Sequence, residues 1–213
     1  ALALSSAVHA EGRWYTTVAG GQSSFDISKS DLENTALDYY GLTRQDVVDF
    51  GLSSSSSLDD TDTAYKIQVG YQFNEYFAIE GGYINLGETT YKGGLTDGVD
   101  YTDAHFNAEV DGFNLGLVGS LPVGKAFSLF GTVGAINAKV ETKIKFPNSF
   151  SSEESFSEDS TDVKPYYGLG AAYSLTDAVA MRLDYTFFDN LGDDKKTGEA
   201  DVDFVSLGLT YSF

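Results

Sequence analysis

His105 is the only histidine beyond residue 10, and Asp103 and Glu109 stand close to it in the chain. A histidine oriented by a carboxylate and set against a serine is the constellation of acyl transfer and hydrolysis. Serines are plentiful here, yet no spacing joins one of them to His105 as nucleophile to base. Carboxylates offer a second chemistry. They gather as Asp59, Asp60 and Asp62, as Asp97, Asp100 and Asp103, as Glu153, Glu154, Glu158 and Asp159, and as Asp193, Asp194, Glu199, Asp201 and Asp203. Divalent cations take such oxygen ligands, but no cluster has the spacing of an EF-hand loop. Solvation and mutual repulsion of surface segments is the expected role. Cysteine is absent, which removes disulfides, thiolate metal sites and thiol nucleophiles together. A formal net charge of −19 argues against nucleic-acid binding, which needs a basic face. No motif implies a metal or a cofactor.

The elements that would position these residues show themselves by alternation. Val205, Leu207, Leu209, Tyr211 and Phe213 share one face, and Phe204, Ser206, Gly208, Thr210 and Ser212 the other. Val179, Met181, Leu183, Tyr185 and Phe187 repeat the pattern against Ala180, Arg182, Asp184 and Thr186. Six more segments read alike: Trp14 to Phe25, Ala64 to Phe73, Tyr76 to Gly87, Val110 to Leu121, Phe127 to about Glu141, and Pro165 to Leu175. Each is roughly ten residues or more, enough for a tilted strand to cross a bilayer with one face to lipid and one to a lumen. No run of about eighteen apolar residues offers a transmembrane helix.

The connections alternate in length. Short ones fall at Asn74-Glu75, at Pro122-Val123-Gly124-Lys125 and at Thr176-Asp177; the other four are long and acidic. That is the signature of short periplasmic turns and longer extracellular loops. The expected fold is therefore all-β, an eight-stranded antiparallel up-and-down transmembrane β-barrel, closed so that no strand edge is left unpaired in lipid. Aromatic residues near strand ends (Trp14, Phe73, Tyr76, Phe77, Phe127, Tyr166, Tyr167, Phe187, Tyr211, Phe213) suit interfacial girdles. The first extracellular loop carries a small helical insertion. Ser30-Asp31-Leu32-Glu33 reads as a capping box, Gly41 as a stop, and Leu32, Ala36, Leu37 and Tyr40 as an apolar stripe. Thr43 caps a second turn through Asp49, and Ser53 to Ser57 reads as a flexible run. Residues 1–10 resemble the tail of a secretory signal peptide, with the barrel domain taking 11–213.

Gly70-Tyr71-Gln72-Phe73, Ala78-Ile79-Glu80-Gly81-Gly82-Tyr83 and Leu207-Gly208-Leu209-Thr210-Tyr211-Ser212-Phe213 resemble the OmpA-like transmembrane barrel family over essentially the whole chain after residue 10. The resemblance implies residence in the bacterial outer membrane, in contact with its lipid and lipopolysaccharide. It implies that Tyr211 and Phe213 form the C-terminal signal read by the barrel-assembly machinery. Larger members carry a peptidoglycan-binding domain after the barrel. In the family the glutamate of the third strand points inward and pairs with basic side chains. Glu80 matches it, while Thr132 replaces the usual base of the fifth strand. Lys66 and Arg182 are the remaining inward bases and Asp184 an inward acid. Because an unpaired charge in a narrow lumen is very costly, Lys66, Glu80, Arg182 and Asp184 are expected to form one network.

Three functions stand against one another on the sequence. A monomeric structural or surface-interaction barrel would present acidic loops to host or other surface ligands. A narrow gated channel for ions or small solutes would use the charged lumen as its gate; many inward residues are Gly, Ala, Ser or Thr, which leaves room for some water. A lipid-modifying enzyme would need His105 at the rim, and the chain is read as a non-enzyme. A carrier of apolar ligands is a fourth reading, suggested by the apolar residues of the first loop.

Overall fold

The computed structural model describes residues 12–39, 41–96, 101–146, 154–193 and 197–213. The expected leader at 1–10 lies outside them, as do Tyr40, Asp97, Asp100, Glu153 and Asp194. The elements run β1 (Arg13–Asp26), α1 (Lys29–Tyr39), α2 (Arg44–Asp49), β2 (Ser53–Asp59), β3 (Thr61–Gln72), β4 (Phe77–Thr96), β5 (Tyr101–Val123), β6 (Phe127–Phe146), β7 (Glu154–Ser174), β8 (Val179–Asp193) and β9 (Gly198–Ser212). From β3 to β9 each strand pairs antiparallel with the next, and β1 pairs with both β3 and β9. Eight strands thus close into a ring, the barrel expected from the alternation. β2 is an addition that pairs with β4 above the ring, from Ser53↔Thr96 to Asp59↔Thr90.

The tight turns are held by side chains that accept backbone hydrogen bonds. Asn74 Oδ1 accepts from the Tyr76 and Phe77 amides at 2.8 and 3.0 Å, and Thr176 Oγ1 from Ala178 and Val179 at 3.2 and 3.0 Å. Such local bonds are why Asn and Thr favour turns. Between these turns and the middle of the barrel, large apolar side chains point outward: Leu169 is 69% exposed and Leu207 55%. A contiguous belt of this kind is tolerable only against hydrocarbon.

The opposite end departs from the expectation in three ways. First, much of what reads as long acidic loop is strand. β5 has 23 residues, which at about 3.3 Å each is far more than a tilted crossing needs. The hairpins continue outward as two-stranded ladders, and Glu88, Glu109, Glu141 and Asp159 fall in one cross-strand row. Second, Ser53 to Ser57 belongs to β2. β4 runs beyond the end of its pairing with β3 at Asn85, and the serine backbone supplies the missing ladder partner. Third, the apolar face turns inward. Ile84, Leu86, Ile136, Phe188, Val202 and Phe204 fill the lumen at 2% exposure or less. Small inward residues such as Ser23, Ala64 and Ala138 make room for these large side chains in the outer half. A wall surrounded by water must bury its apolar side chains inside, whereas a wall surrounded by lipid displays them.

Two bulges accompany the inversion. The β4–β5 register slips between Asn85 and Gly87, where Gly87 has φ +77°, and the β8–β9 register slips between Phe188 and Leu191, beside Asn190 at φ 51°. Each inserted residue flips the side-chain parity beyond it. Thr89 and Tyr91 are therefore buried, although strict alternation from Tyr83 would turn them outward.

α1 and α2 form the cap over one side of the mouth. α1 starts at Lys29, one residue before the capping box expected at Ser30, with the Ser28 carbonyl accepting from the Leu32 amide at 3.3 Å. Thr43 does cap α2, and a capping box with Asp46 is complete. Those hydrogen bonds from Thr43 hold the exposed Asp46 carboxyl below the usual carboxylate range. Gly41 and Gly51, both at φ +67°, end the two helices in the left-handed conformation. Leu32, Ala36 and Leu37 are half-buried, as the apolar stripe requires, but Val48 and Phe50 stand exposed.

Interior glycines let bulky lumen residues lie against the wall. A Cβ on Gly134 would collide with the Leu115 carbonyl oxygen and the Tyr166 ring. Gly134→Leu should destabilise the barrel by about 1–3 kcal/mol through overpacking. Urea unfolding in lipid vesicles, read by loss of the heat-modifiable gel band, would show an unchanged midpoint if the wall had room to spare.

Candidate functional site in the barrel lumen

The inner half of the lumen holds the charged residues singled out by alternation. Glu80 is on β4, Lys66 on β3, and Arg182 and Asp184 on β8. Their exposures are 1%, 3%, 7% and 4%, so all four are taken out of solvent. Arg182 meets Glu80 in a two-pronged contact, Nη1 donating to Oε1 and Nη2 to Oε2 at 3.1 Å. Its Nε donates to Asp184 Oδ1 at 3.1 Å, and the same oxygen lies 3.1 Å from Lys66 Nζ. Two cations and two anions balance, and the planar guanidinium fork suits a bidentate carboxylate.

Residues outside the expected quartet complete the site. The Tyr15 hydroxyl donates to Glu80 Oε1 at 2.8 Å. The Phe130 ring lies 4.2 Å from the Arg182 guanidinium carbon, and the Phe204 ring 5.8 Å from Lys66 Nζ. Aromatic faces attract cations most strongly where water is excluded. Tyr15, Phe130 and Phe204 could have been found by parity alone, since each lies on the inward face of its strand. Tyr166, read as a girdle residue, is instead buried in the lumen, where its hydroxyl accepts from Asn114 Nδ2 at 3.0 Å. Tyr167 next to it is 50% exposed and takes the lipid side. Thr132 lies on the same inward face of β6 as Phe130. The cation over this part of β6 is thus Arg182, reaching from β8.

Apolar side chains close the lumen above the charges. Ile84, Ile136, Tyr166, Phe188 and Phe204 belong to one packed cluster that reaches up to Val140, Leu191 and Val202. Below them a recess of about 240 Å³ opens toward the tight turns and reaches Arg182.

The remaining expected residues lie elsewhere. His105 is on the outer ladder of β5, with Lys92 and Lys145 as its cross-strand partners. Glu109 shares its face but sits four residues away, about 13 Å along an extended strand. Tyr211 and Phe213 are 56% and 67% exposed at the turn end, their rings stacked at 6.3 Å, and the Phe213 amide donates to the Trp14 carbonyl at 3.0 Å.

A closed antiparallel ring with an outward apolar belt and a polar, charge-paired inner lumen defines a transmembrane β-barrel. The OmpA-like transmembrane domain matches residues 9–213, and the chain belongs to that family. Outer membrane protein A of Serratia marcescens is 32% identical over 146 residues, covering 68% of this chain and 38% of that protein. Outer membrane protein A of Yersinia pseudotuberculosis serotype I is 31% identical over 145 residues, with the same coverage of 68% and 38%. The chain thus spans well under half the length of these relatives. The crystal structure of Ail, the attachment invasion locus protein of Yersinia pestis, shares the fold with a TM-score of 0.51 at 19% identity, over 95% of this chain and 99% of that one. The protein resides in the bacterial outer membrane.

Because Arg182 serves two buried carboxylates, Arg182→Met should cost about 3–5 kcal/mol by leaving Glu80 unpaired. The double variant Glu80→Gln with Arg182→Met should cost clearly less than the sum of its single changes. Urea unfolding of the three variants in vesicles measures this, and strict additivity would mean that the pair is uncoupled.

Proposed function

We propose that the barrel is a monomeric outer-membrane anchor with a sealed lumen, and that its function lies in what it presents above the membrane. The observation that carries this reading is the stacking of two seals, a neutral, buried charge cluster below and a packed apolar layer above. Water and ions would have to open both. Eight strands leave an interior only wide enough for side chains, and here side chains fill it. A gated channel would need the charge pairs to exchange and Phe188, Phe204 and Ile136 to move aside as well.

Ring closure leaves the membrane-spanning strands no free edge for pairing with a second copy, which supports the monomer. The presented surface comprises the α1–α2 cap, with Val48 and Phe50 exposed, and the long ladders with their acidic rows; these are the parts offered to host or other surface ligands. The outward belt meets lipid, and the charged rows just above it stand where lipopolysaccharide headgroups lie. Tyr211 and Phe213 serve as the signal for the barrel-assembly machinery. A role as an enzyme is not favoured by the surroundings of His105, which lies between two lysines, with Asp103 two residues away on its face and Glu109 four.

Refolded protein in a planar bilayer should be electrically silent, and Glu80→Ala should leave it silent because the apolar layer remains. Discrete conductance steps from well-folded protein, altered by Glu80→Ala, would replace this reading with that of a gated channel.

A further inference from the structure

A cavity of about 520 Å³ lies at the outer end of the apolar layer that seals the lumen and opens toward the cap. Val110, Val140, Leu191 and Val202 form its floor. Its walls are Phe106 and Ile144 on the ladders, Tyr91 and Leu58 opposite, Ile27 from the segment that leads into α1, and Leu32 from α1 itself. This segment crosses the mouth: Ile27 packs on the core, and Lys29 Nζ holds it to β2 by donating to the Ser56 carbonyl at 3.0 Å. The size lies in the range of about 300–1,000 Å³ typical of small-molecule pockets, which are mostly apolar with a few polar groups.

Several polar atoms around this cavity are already engaged. Thr89 Oγ1 donates to the Asp59 carbonyl at 3.0 Å, and Asn107 Nδ2 donates to Glu88 Oε2 at 3.1 Å. Thr197 Oγ1 is 2.8 Å from Ser160 Oγ, and Lys164 Nζ donates to Glu199 Oε1 at 2.6 Å. A ligand gains little there from hydrogen bonding and much from covering apolar wall. Charge narrows the choice further. Asp26 stands at the edge, Glu199 is offset by Lys164, and the chain as a whole carries a formal charge of −19. Anions are repelled from such a mouth, while neutral and cationic molecules are not.

We propose that the outer mouth of the barrel binds an apolar small molecule, uncharged or positively charged, in the cavity between the lumen seal and the α1 segment. The site goes beyond the anchoring role, for it needs the sealed lumen only as a floor. Ala108, on β5, lines the cavity with a side chain that leaves space beside it.

The test uses the full chain in nanodiscs, with empty nanodiscs as the reference for membrane partitioning. Naphthalene and 1-naphthylmethylammonium should bind saturably above that reference, and both at least tenfold more weakly to Ala108→Trp, whose indole fills the space. The anion 1-naphthoate should bind at least tenfold more weakly than the cation. In the unsubstituted protein, naphthalene should shift the methyl resonances of Ile27, Ile144 and Leu191, a readout that does not depend on the variant folding. No binding above empty nanodiscs, methyl resonances that stay in place, or equal binding by Ala108→Trp would overturn the site. Equal affinity for the anion and the cation would overturn the charge selection.

Discussion

Hydrocarbon offers no hydrogen bonds, so every amide and carbonyl that crosses it must find a partner in the protein. That single requirement accounts for the closure of β1 onto β9 and β3, and most other features follow from closure. Once eight strands form a ring, one face of each looks at lipid and the other into a space little wider than its side chains. Outward positions must then be apolar, and inward positions must fill the space without leaving a lone charge. Gly134 and Tyr166 show the geometric side of the bargain, a bare backbone on one strand making room for a ring from the next.

The same wall meets a different solvent where the strands rise above the membrane. Inside the lipid band, large side chains leave the lumen to Glu80, Arg182 and their partners. Above it, Leu86, Ile136 and Phe188 turn in and Glu88, Glu109 and Glu141 turn out. The barrel is thus a membrane protein at one end and, at the other, a water-facing barrel with its own core. Around the crossing, neighbouring residues are both apolar: Tyr83 with Ile84, Ala135 with Ile136, Phe187 with Phe188. The transition places an apolar layer over a polar one inside the lumen, so neither layer alone decides whether water passes.

Period two was enough to read the faces of the spanning segments, the closed ring and the inward position of Lys66, Glu80, Arg182 and Asp184. It also contained the answer for Tyr166. With Tyr167 facing lipid, its neighbour has to face inward, and grouping both as girdle residues ignored parity. The outer ladders were harder to read. Ser53 to Ser57 has neither apolar alternation nor β-branched residues, and it becomes a strand because β4 already offers unpaired backbone groups. The bulges at Gly87 and Asn190 were also hidden, since one added residue flips parity without changing composition. The cavity under α1 depends on both of these, because Tyr91 and Leu191 reach it only after the flips.

The departure at Thr132 bears on how the charge cluster can behave. A carboxylate that switches between two cations needs a second cation free to receive it. The family resemblance places such a base on the fifth strand; here that position is Thr132, and Phe130 beside it presents a ring to Arg182. Arg182 therefore takes both oxygens of Glu80. The other buried cation in the cluster, Lys66, is held by Asp184. Moving Glu80 to Lys66 would strip Asp184 of one partner and free half of the guanidinium fork. The Tyr15 hydroxyl adds a further bond that such a move would break. Each such exchange costs the cluster a charge-paired contact, which favours the proposed sealed lumen over a gate.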